Sequence, residues 1–173
     1  MLNKVLPVLL LLSAPVLAAK PVLTVYTYDS FSADWGPGPA VKKAFEAQCD
    51  CELKFVTLED GVSLLNRVRM EGKNSKADVV LGLDNNLVQA AQKTGLFAES
   101  QVDTSTLKLP DGWHNTTFVP FDYGYFAFVY DKTRLKNPPK SLKELVDSPE
   151  KWRVIYEDPR TSKPGFGLLL LMQ

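Results

Sequence analysis

The sequence predicts an α/β protein with two lobes that are joined by a crossover strand. Three strand-then-helix units follow one another between residues 22 and 95, and this alternation is typical of a parallel sheet with helices on both faces. A long run of aromatic and β-forming residues comes next, at 119–130, and the strand-then-helix rhythm then begins again. Such a strand between two sets is expected to cross from one lobe to the other. We therefore expect a ligand to bind in a cleft between the lobes.

Residues 1–18 predict a secretory signal peptide. Lys4 provides a basic start, an apolar stretch and a small-residue end follow, and the segment is too short to span a membrane. Cleavage after Ala18 is expected to leave an exported protein that is not embedded in a membrane. The whole sequence has 20 basic and 20 acidic residues. Because it has no basic excess, the sequence does not favour nucleic-acid binding.

Residues 19–117 form the first predicted lobe. Residues 22–28 are β-branched and aromatic, which predicts the first strand. A Gly/Pro-rich turn follows, and Pro39 is well placed to begin a helix. At helical spacing, the residues of that helix that are expected to face inward are Val41, Ala44 and Phe45.

The second and third units of this lobe have clear boundaries. Residues 51–58 predict a strand, and Asp60 is a suitable N-cap for a helix that ends at Gly72. The inward residues of that helix are predicted to be Val62, Leu65 and Val68. Residues 77–83 predict a third strand, which is more continuously apolar, as a sheet covered on both faces requires. The next helix is expected to have Asn85 or Asn86 as its cap, Gly95 as its stop, and inward residues Leu87, Ala90 and Ala91.

Residues 118–131 are the predicted crossover strand, and most of its aromatic side chains are expected to be buried. Residues 132–173 are predicted to begin the second lobe, with a helix capped by Ser141 and Glu144, a strand at 153–156 and a helix that starts near Pro164. The sequence stops within an apolar run. We therefore expect it to be the first part of a longer protein.

Two loops are candidates for a ligand site because each follows a predicted strand and precedes a helix. They are residues 59–61, which include Asp60 and Gly61, and residues 161–163, which include Ser162 and Lys163. Helix N-termini at the carboxyl ends of strands suit an anion, whereas the Asp60 carboxylate suits a cation. Spacing alone favours a plainer interpretation, in which Asp60 caps its own helix and Ser162 is a turn residue.

Tyr28 and Trp35 are the aromatic candidates for this site. Both come at or after the end of the first strand, where a ring is free to stack on a flat or cationic ligand. A packing role for either ring is equally open before any resemblance is considered.

The two cysteines and the single histidine predict no metal or catalytic centre. Cys49 and Cys51 have too few ligating neighbours for a structural zinc site. Export permits a disulfide, but residues two apart in an extended segment lie about 6.5–7 Å apart, near the bridging limit. A strained bridge and two free thiols both stay open. His114 is expected to be exposed, and no nucleophile elbow or phosphate loop is present. An exported hydrolase using Ser162 or His114 is kept as an alternative class.

Long runs of the sequence closely resemble the periplasmic thiamine-binding proteins that serve ABC importers, within the type II periplasmic solute-binding proteins. These runs are residues 21–31, 33–38, 58–67, 76–84, 118–130 and 152–156. The resemblance implies two α/β lobes, crossing strands and a closing cleft. It also implies that the protein captures thiamine and its mono- and diphosphate in the periplasm and delivers them to an inner-membrane ABC permease. We expect neither a cofactor nor catalysis. We expect the protein to be a monomer.

The same resemblance implies a set of site residues. Asp60, Gly61, Ser162 and Lys163 are expected to line the ligand site, with Tyr28 and Trp35 as aromatic wall candidates. Lys163 departs from the small hydroxyl residue that the resemblance leads us to expect there. The helix starts suit a phosphate or hydroxyl end, and the aromatic faces suit the charged thiazolium. The alternative is the same fold with another solute: a ferric ion, a polyamine or an oxyanion.

Overall fold

The structure is a computed structural model that describes residues 19–173. Residues 1–18, which carry the predicted signal peptide, lie outside the described residues. Within the described part, the strands form one parallel sheet in the order β2-β1-β3, and they are β1 (Val22–Tyr28), β2 (Glu52–Leu58) and β3 (Val79–Val80). The helices are α1 (Asp29–Ser32), α2 (Gly38–Cys49), α3 (Gly61–Glu71), α4 (Val88–Gln92), α5 (Leu142–Asp147) and α6 (Lys163–Leu171). None of the helices found in residues 19–173 is long and apolar enough to cross a membrane.

The predicted parallel arrangement of the sheet is confirmed, but its third strand is shorter than predicted. β1 and β2 pair along their full length of 7 residues each. β3 pairs with β1 only through Val79 and Val80. Gly82 follows at a φ of 122°, a backbone conformation that favours glycine, and it redirects the chain. Val79 is exposed, so the expectation that this strand is covered on both faces is wrong.

Helix α2 begins as predicted but is attached to the sheet differently. Pro39 lies in its first turn, where the missing N–H costs nothing. The residues that the sequence predicts to face inward are instead exposed: Val41, Ala44 and Phe45. Polar side chains hold the helix against β2, because Lys42 Nζ donates to the Leu53 carbonyl at 2.5 Å and the Leu53 N–H donates to Glu46 Oε1 at 2.8 Å.

Helix α3 supplies the centre of the core. Leu64, Leu65 and Val68 are buried on one face, at helical spacing. Leu64 and Val68 pack against Tyr26 of β1. The predicted burial of Leu65 and Val68 is confirmed, and Val62 is half-buried.

Helix α4 is short, and it extends the core through a buried cluster with Leu65 of α3. Leu87 and Ala91 are buried as predicted, whereas Ala90 is exposed. The Asp84 carboxylate accepts a hydrogen bond from the Leu87 N–H at 3.2 Å. This bond closes the turn before α4, whose N-cap is Leu87, so the predicted capping by Asn85 or Asn86 is wrong. Gly95 follows the helix at a φ of 65°, as a residue that ends a helix often does.

Residues 118–131 do not form the predicted strand. They pair with no other strand of the described chain. The aromatic side chains that the sequence predicts to be mostly buried are each more than half exposed: Phe121, Tyr123, Tyr125, Phe126 and Phe128. A strand needs a neighbour that takes its N–H and C=O groups, and without one the β-forming composition is not sufficient. Residues 153–156 also form no strand, for the same reason.

The last two helices start where the sequence predicts. Ser141 Oγ accepts from the Glu144 N–H at 3.0 Å, which is one half of the predicted capping box. Glu144 Oε2 accepts from the Lys140 N–H at 2.9 Å, so the returning bond reaches one residue before the cap. α6 starts at Lys163, with Pro164 in its first turn.

Cys49 and Cys51 form a disulfide with a Cα–Cα distance of 5.2 Å. Asp50 between them adopts a φ of 49°, which ends α2 and bends the chain. This bend brings the two Cα atoms closer than an extended segment allows. Of the two possibilities that the sequence leaves open, the structure therefore shows the bridge.

Candidate ligand-binding site

The loop between β2 and α3 meets the start of α6. Asp60 Oδ2 accepts a hydrogen bond from the Lys163 backbone N–H at 2.5 Å, and the two residues are separated by 103 positions. Asp60 Oδ1 lies 3.3 Å from Lys163 Nζ. The two loops that the sequence predicts as separate candidates are thus in direct contact.

The Lys163 ammonium is held by groups from three different segments of the chain. Besides the Asp60 carboxylate, it donates to the Gly82 carbonyl at 3.1 Å. It also lies 4.4 Å from the centroid of the Tyr28 ring, within the range of a cation–π contact. The side chains of Lys163 and Asp60 are each only 18% exposed. The start of α6 is therefore joined to the carboxyl ends of β1 and β2 and to the turn after β3.

Asp60 occupies the N-cap position of α3, but its side chain does not cap that helix. Its carbonyl accepts from the Leu64 N–H at 2.9 Å, as an N-cap carbonyl does. The carboxylate instead takes the first N–H of α6. The plainer interpretation, in which the Asp60 side chain caps its own helix, is therefore wrong. Burial and the contact across the chain give this carboxylate a partner that local spacing does not reveal.

Gly61 is required by the close approach of three segments. A Cβ at this position would lie 2.5 Å from the Gly82 carbonyl oxygen and 2.8 Å from Lys163 Cδ. Gly82 is equally restricted, because its Cβ would lie 2.3 Å from the Tyr28 ring. These two glycines leave a space that the Lys163 side chain fills.

Ser162 is the N-cap of α6 and is buried. Its Oγ accepts from the Gly165 N–H at 3.2 Å and donates to the Glu157 carboxylate. The N–H groups of Lys163 and Gly165 are thus both already bonded. An acidic group beside a helix N-terminus is favourable, and here Asp60 and Glu157 supply it.

The surroundings of the site carry further negative charge. The pKa of Tyr28 is raised by burial and also by the nearby carboxylates of Asp122 and Asp60. Burial raises the pKa of Asp84, an effect that is opposed by a hydrogen bond from Asn86 and by the Lys163 ammonium. Such an arrangement favours a positive group at the position of the ammonium over an anion.

Five of the six site residues that the sequence predicts come together in the structure: Tyr28, Asp60, Gly61, Ser162 and Lys163. Trp35 is 80% exposed in the turn after α1 and takes part in none of these contacts. Sequence reasoning missed Gly82, although a glycine within a strand pattern often marks a close backbone approach. It also missed Glu157, for which the sequence offers no signal.

Two cavities lie elsewhere on the surface of residues 19–173. A cavity of about 360 Å³ lies at the ends of α3 and α4, and its basic lining residues are Arg69, Lys73 and Lys93. A second cavity of about 220 Å³ is lined in part by His114, which is exposed as predicted. Neither cavity includes a predicted site residue. Within residues 19–173, no three His, Cys, Asp or Glu side chains are grouped closely enough to hold a metal ion.

Comparison with known proteins decides the family. Residues 40–173 match the family described as bacterial extracellular solute-binding protein. The chain belongs to this family. The predicted solute-binding fold, with mixed helices and a parallel sheet, is thereby confirmed, while the lobe boundaries at residues 117 and 131 stay predictions.

Curated relatives and a solved structure also confirm the resemblance that the sequence shows. The chain is 77% identical over 173 residues to the thiamine-binding periplasmic protein of Escherichia coli. The match covers 100% of this chain and 53% of that protein. The chain is 55% identical over 161 residues to the Haemophilus influenzae protein of the same name, covering 92% of this chain and 48% of the relative. A solved periplasmic thiamin binding protein superposes with a TM-score of 0.85 at 78% identity, covering 89% of this chain and 48% of that chain. The chain spans about half the length of the curated relatives it matches.

Proposed function

We propose that this chain provides the first lobe, the crossover and the base of the second lobe of a periplasmic solute-binding protein. The full-length protein captures thiamine and its mono- and diphosphate, and it delivers them to an inner-membrane ABC permease. The observation that carries this proposal is the 77% identity, over the whole chain, to a protein named for thiamine binding. We expect the protein to act as a monomer. It needs no cofactor in this proposal, because thiamine is cargo that leaves unchanged.

The site geometry supports a ligand that carries a positive charge. The Asp60 carboxylate and the Tyr28 ring face the same small space, as shown by their shared contact with the Lys163 ammonium. A carboxylate and an aromatic face are the groups that suit a thiazolium ring, which is flat and permanently charged. Asp60, Gly61, Ser162 and Lys163 line the site in this proposal, with Tyr28 as an aromatic wall and Trp35 as a further wall candidate.

The mechanism is binding followed by closure. Contacts from both lobes stabilise the closed form, so the ligand shifts the population toward it, and the permease recognises that form. The start of α6 belongs to the predicted second lobe and Asp60 to the first. The contact between Asp60 and the start of α6 therefore joins the two predicted lobes, and closure of the cleft is expected to change it.

The alternatives receive less support. Six curated relatives at 54–77% identity are all named for thiamine binding, which does not favour a ferric ion, a polyamine or an oxyanion. For a hydrolase, the Ser162 hydroxyl would need access to a substrate, but Ser162 is buried and its Oγ caps α6 by accepting from the Gly165 N–H. His114 lines a separate cavity.

Calorimetry on the full-length protein, purified free of bound vitamin, tests the proposal. Thiamine and both phosphates should each bind saturably at one site, and choline should bind far more weakly because it lacks the flat rings. Asp60→Asn should weaken thiamine binding at least about tenfold. The matched control is Glu59→Gln, which removes a charge from the exposed neighbouring residue and should leave affinity unchanged. Absence of heat with all three thiamine compounds would refute the proposed function.

A further inference from the structure

We propose that the Lys163 ammonium occupies a cation subsite in the ligand cleft, and that the positive group of the ligand must displace it. The cation subsite consists of the Asp60 carboxylate, the Gly82 carbonyl and the Tyr28 ring. The inference rests on the proposed function, because it names the ligand group that this part of the site receives. Lys163 is then an internal competitor of the ligand.

The contacts of the ammonium are those that a bound organic cation would make. It lies 3.3 Å from Asp60 Oδ1, 3.1 Å from the Gly82 carbonyl oxygen and 4.4 Å from the Tyr28 ring centroid. One nitrogen is thus contacted by a carboxylate, a carbonyl and a π face. These groups can satisfy a cation, and all of them belong to the folded chain. The three groups come from separate segments, so the tertiary fold has assembled them.

The Lys163 side chain can leave the subsite without disturbing the start of its helix. The Lys163 backbone N–H is bonded to Asp60 Oδ2, and the Ser162 hydroxyl caps the Gly165 N–H. These bonds hold α6 in place independently of the ammonium. A lysine side chain is a flexible four-carbon stem with a point charge at its end, so rotation about its side-chain bonds alone can vacate the subsite.

The Lys163 stem and the Tyr28 ring are each packed closely against a glycine. Gly61 lies so close to Lys163 that an added Cβ would meet the Lys163 Cδ at 2.8 Å, and one on Gly82 would meet the Tyr28 ring at 2.3 Å. Two positive charges at this position would also repel each other. The Lys163 ammonium and a ligand cation are therefore mutually exclusive occupants.

Charge determines which ligand gains from displacement. When the ammonium leaves, the Asp60 carboxylate keeps its hydrogen bond from the Lys163 N–H but loses its positive partner, and Asp122 adds a second negative charge near Tyr28. A permanently charged thiazolium restores the balance. The displaced ammonium is then free to pair with a phosphate on the same ligand. Lys163 thus lowers the affinity for unphosphorylated thiamine. For the phosphorylated forms, the pairing of its ammonium with the phosphate recovers part of the lost affinity.

Calorimetric titration of the full-length protein with thiamine and with thiamine monophosphate tests the inference. Lys163→Met keeps most of the stem and removes the charge, and it should raise thiamine affinity about tenfold while raising monophosphate affinity less. Lys163→Arg keeps the charge and should not gain affinity. Lys93→Met removes a charge from an exposed lysine and should match the wild type. Lys163→Gln serves as a second neutral variant if the Met variant does not fold.

The outcomes separate the two proposals. If the wild type binds no thiamine, the proposed function fails, and the inference fails with it. If the wild type binds and both neutral variants bind thiamine no more tightly than it does, only the displacement of Lys163 is wrong. The gain should also disappear when Asp60→Asn is combined with Lys163→Met, since the carboxylate is what the two cations share. A gain that persists without Asp60 would overturn the cation subsite.

Discussion

Tyr26 and Tyr125 lie in similar runs of β-branched and aromatic residues, yet their surroundings differ completely. Tyr26 is 3% exposed in β1, which lies between β2 and β3. Tyr125 is 83% exposed within residues 118–131, which pair with no described strand. The comparison shows that a β-forming run indicates a capacity to pair. Whether the run becomes a strand depends on a partner elsewhere in the chain.

The two regions also differ in what holds them. Residues 19–97 have a core in which Leu64 is fully buried between the sheet and α3. Residues 118–173 have no buried hydrophobic cluster of their own among the described residues, and their contacts with the first region include the Asp60–Lys163 pair and the Phe31–Phe121 ring contact at 6.0 Å. The candidate site is therefore also a point where the second region is attached to the first.

Hydrogen–deuterium exchange should show the largest difference between the regions. In the 173-residue chain, amides of β1 are in a sheet ladder, whereas those of residues 119–130 lack strand partners. Protection of β1 should exceed that of 119–130 by about 10³-fold or more, because core amides open only with large free energies. Mass spectrometry of peptic fragments measures this. Equal protection in the two segments would contradict the comparison.

Leu64→Ala should have the largest effect of a single substitution on stability. Leu64 is 0% exposed, so the change leaves a cavity and should lower the free energy of unfolding by about 2–5 kcal/mol. Met70→Ala on the same helix is the matched control, because Met70 is 85% exposed and should change stability by no more than about 0.5 kcal/mol. Urea denaturation followed by far-UV circular dichroism measures both. Similar losses for the two variants would show that the core is not where the structure places it.

Gly61→Ala should have an intermediate effect, because it tests the attachment between the regions. Its Cβ would lie 2.5 Å from the Gly82 oxygen, and the resulting shift should cost about 1–3 kcal/mol. Gly124→Ala is the control from the second region, where an added Cβ has no neighbour within 4 Å. Thermal denaturation should therefore separate the two glycines. An unchanged melting temperature for Gly61→Ala would mean that the segments are less closely packed than described.

The smallest expected effect on stability concerns Asp158, which lies in the turn before α6. Hydrogen bonds from the Arg160 side chain and N–H lower the pKa of Asp158 from 3.8 to about 2. Because the folded pKa is the lower one, the carboxylate contributes stability above about pH 4, and this contribution is lost as the pH falls toward 2. NMR titration should return the Asp158 pKa toward 3.8 in Arg160→Gln. Asp131, whose pKa is lowered by Thr133, should not respond.

Much of the candidate site was accessible from the sequence, but not its arrangement. The resemblance pointed to Asp60, Gly61, Ser162 and Lys163, and the structure places these four at the meeting of the β2–α3 loop with the start of α6. Local rules predicted that Asp60 caps α3, whereas its carboxylate binds the start of α6. Trp35 lies outside these contacts, with a side chain that is 80% exposed. The ligand role of all these residues stays a prediction.

The amino-acid sequence alone determined the elements whose causes lie within a few residues. β1, β2, the starts of α2 and α6, and the buried face of α3 follow from side-chain pattern, proline placement and capping. The tertiary structure decided the rest. Residues 118–131 have no strand partner in the described chain, and Asp60 contacts a residue 103 positions away. The reason is physical. Backbone preferences act between neighbours, whereas burial and charge pairing depend on which distant atoms the fold brings together.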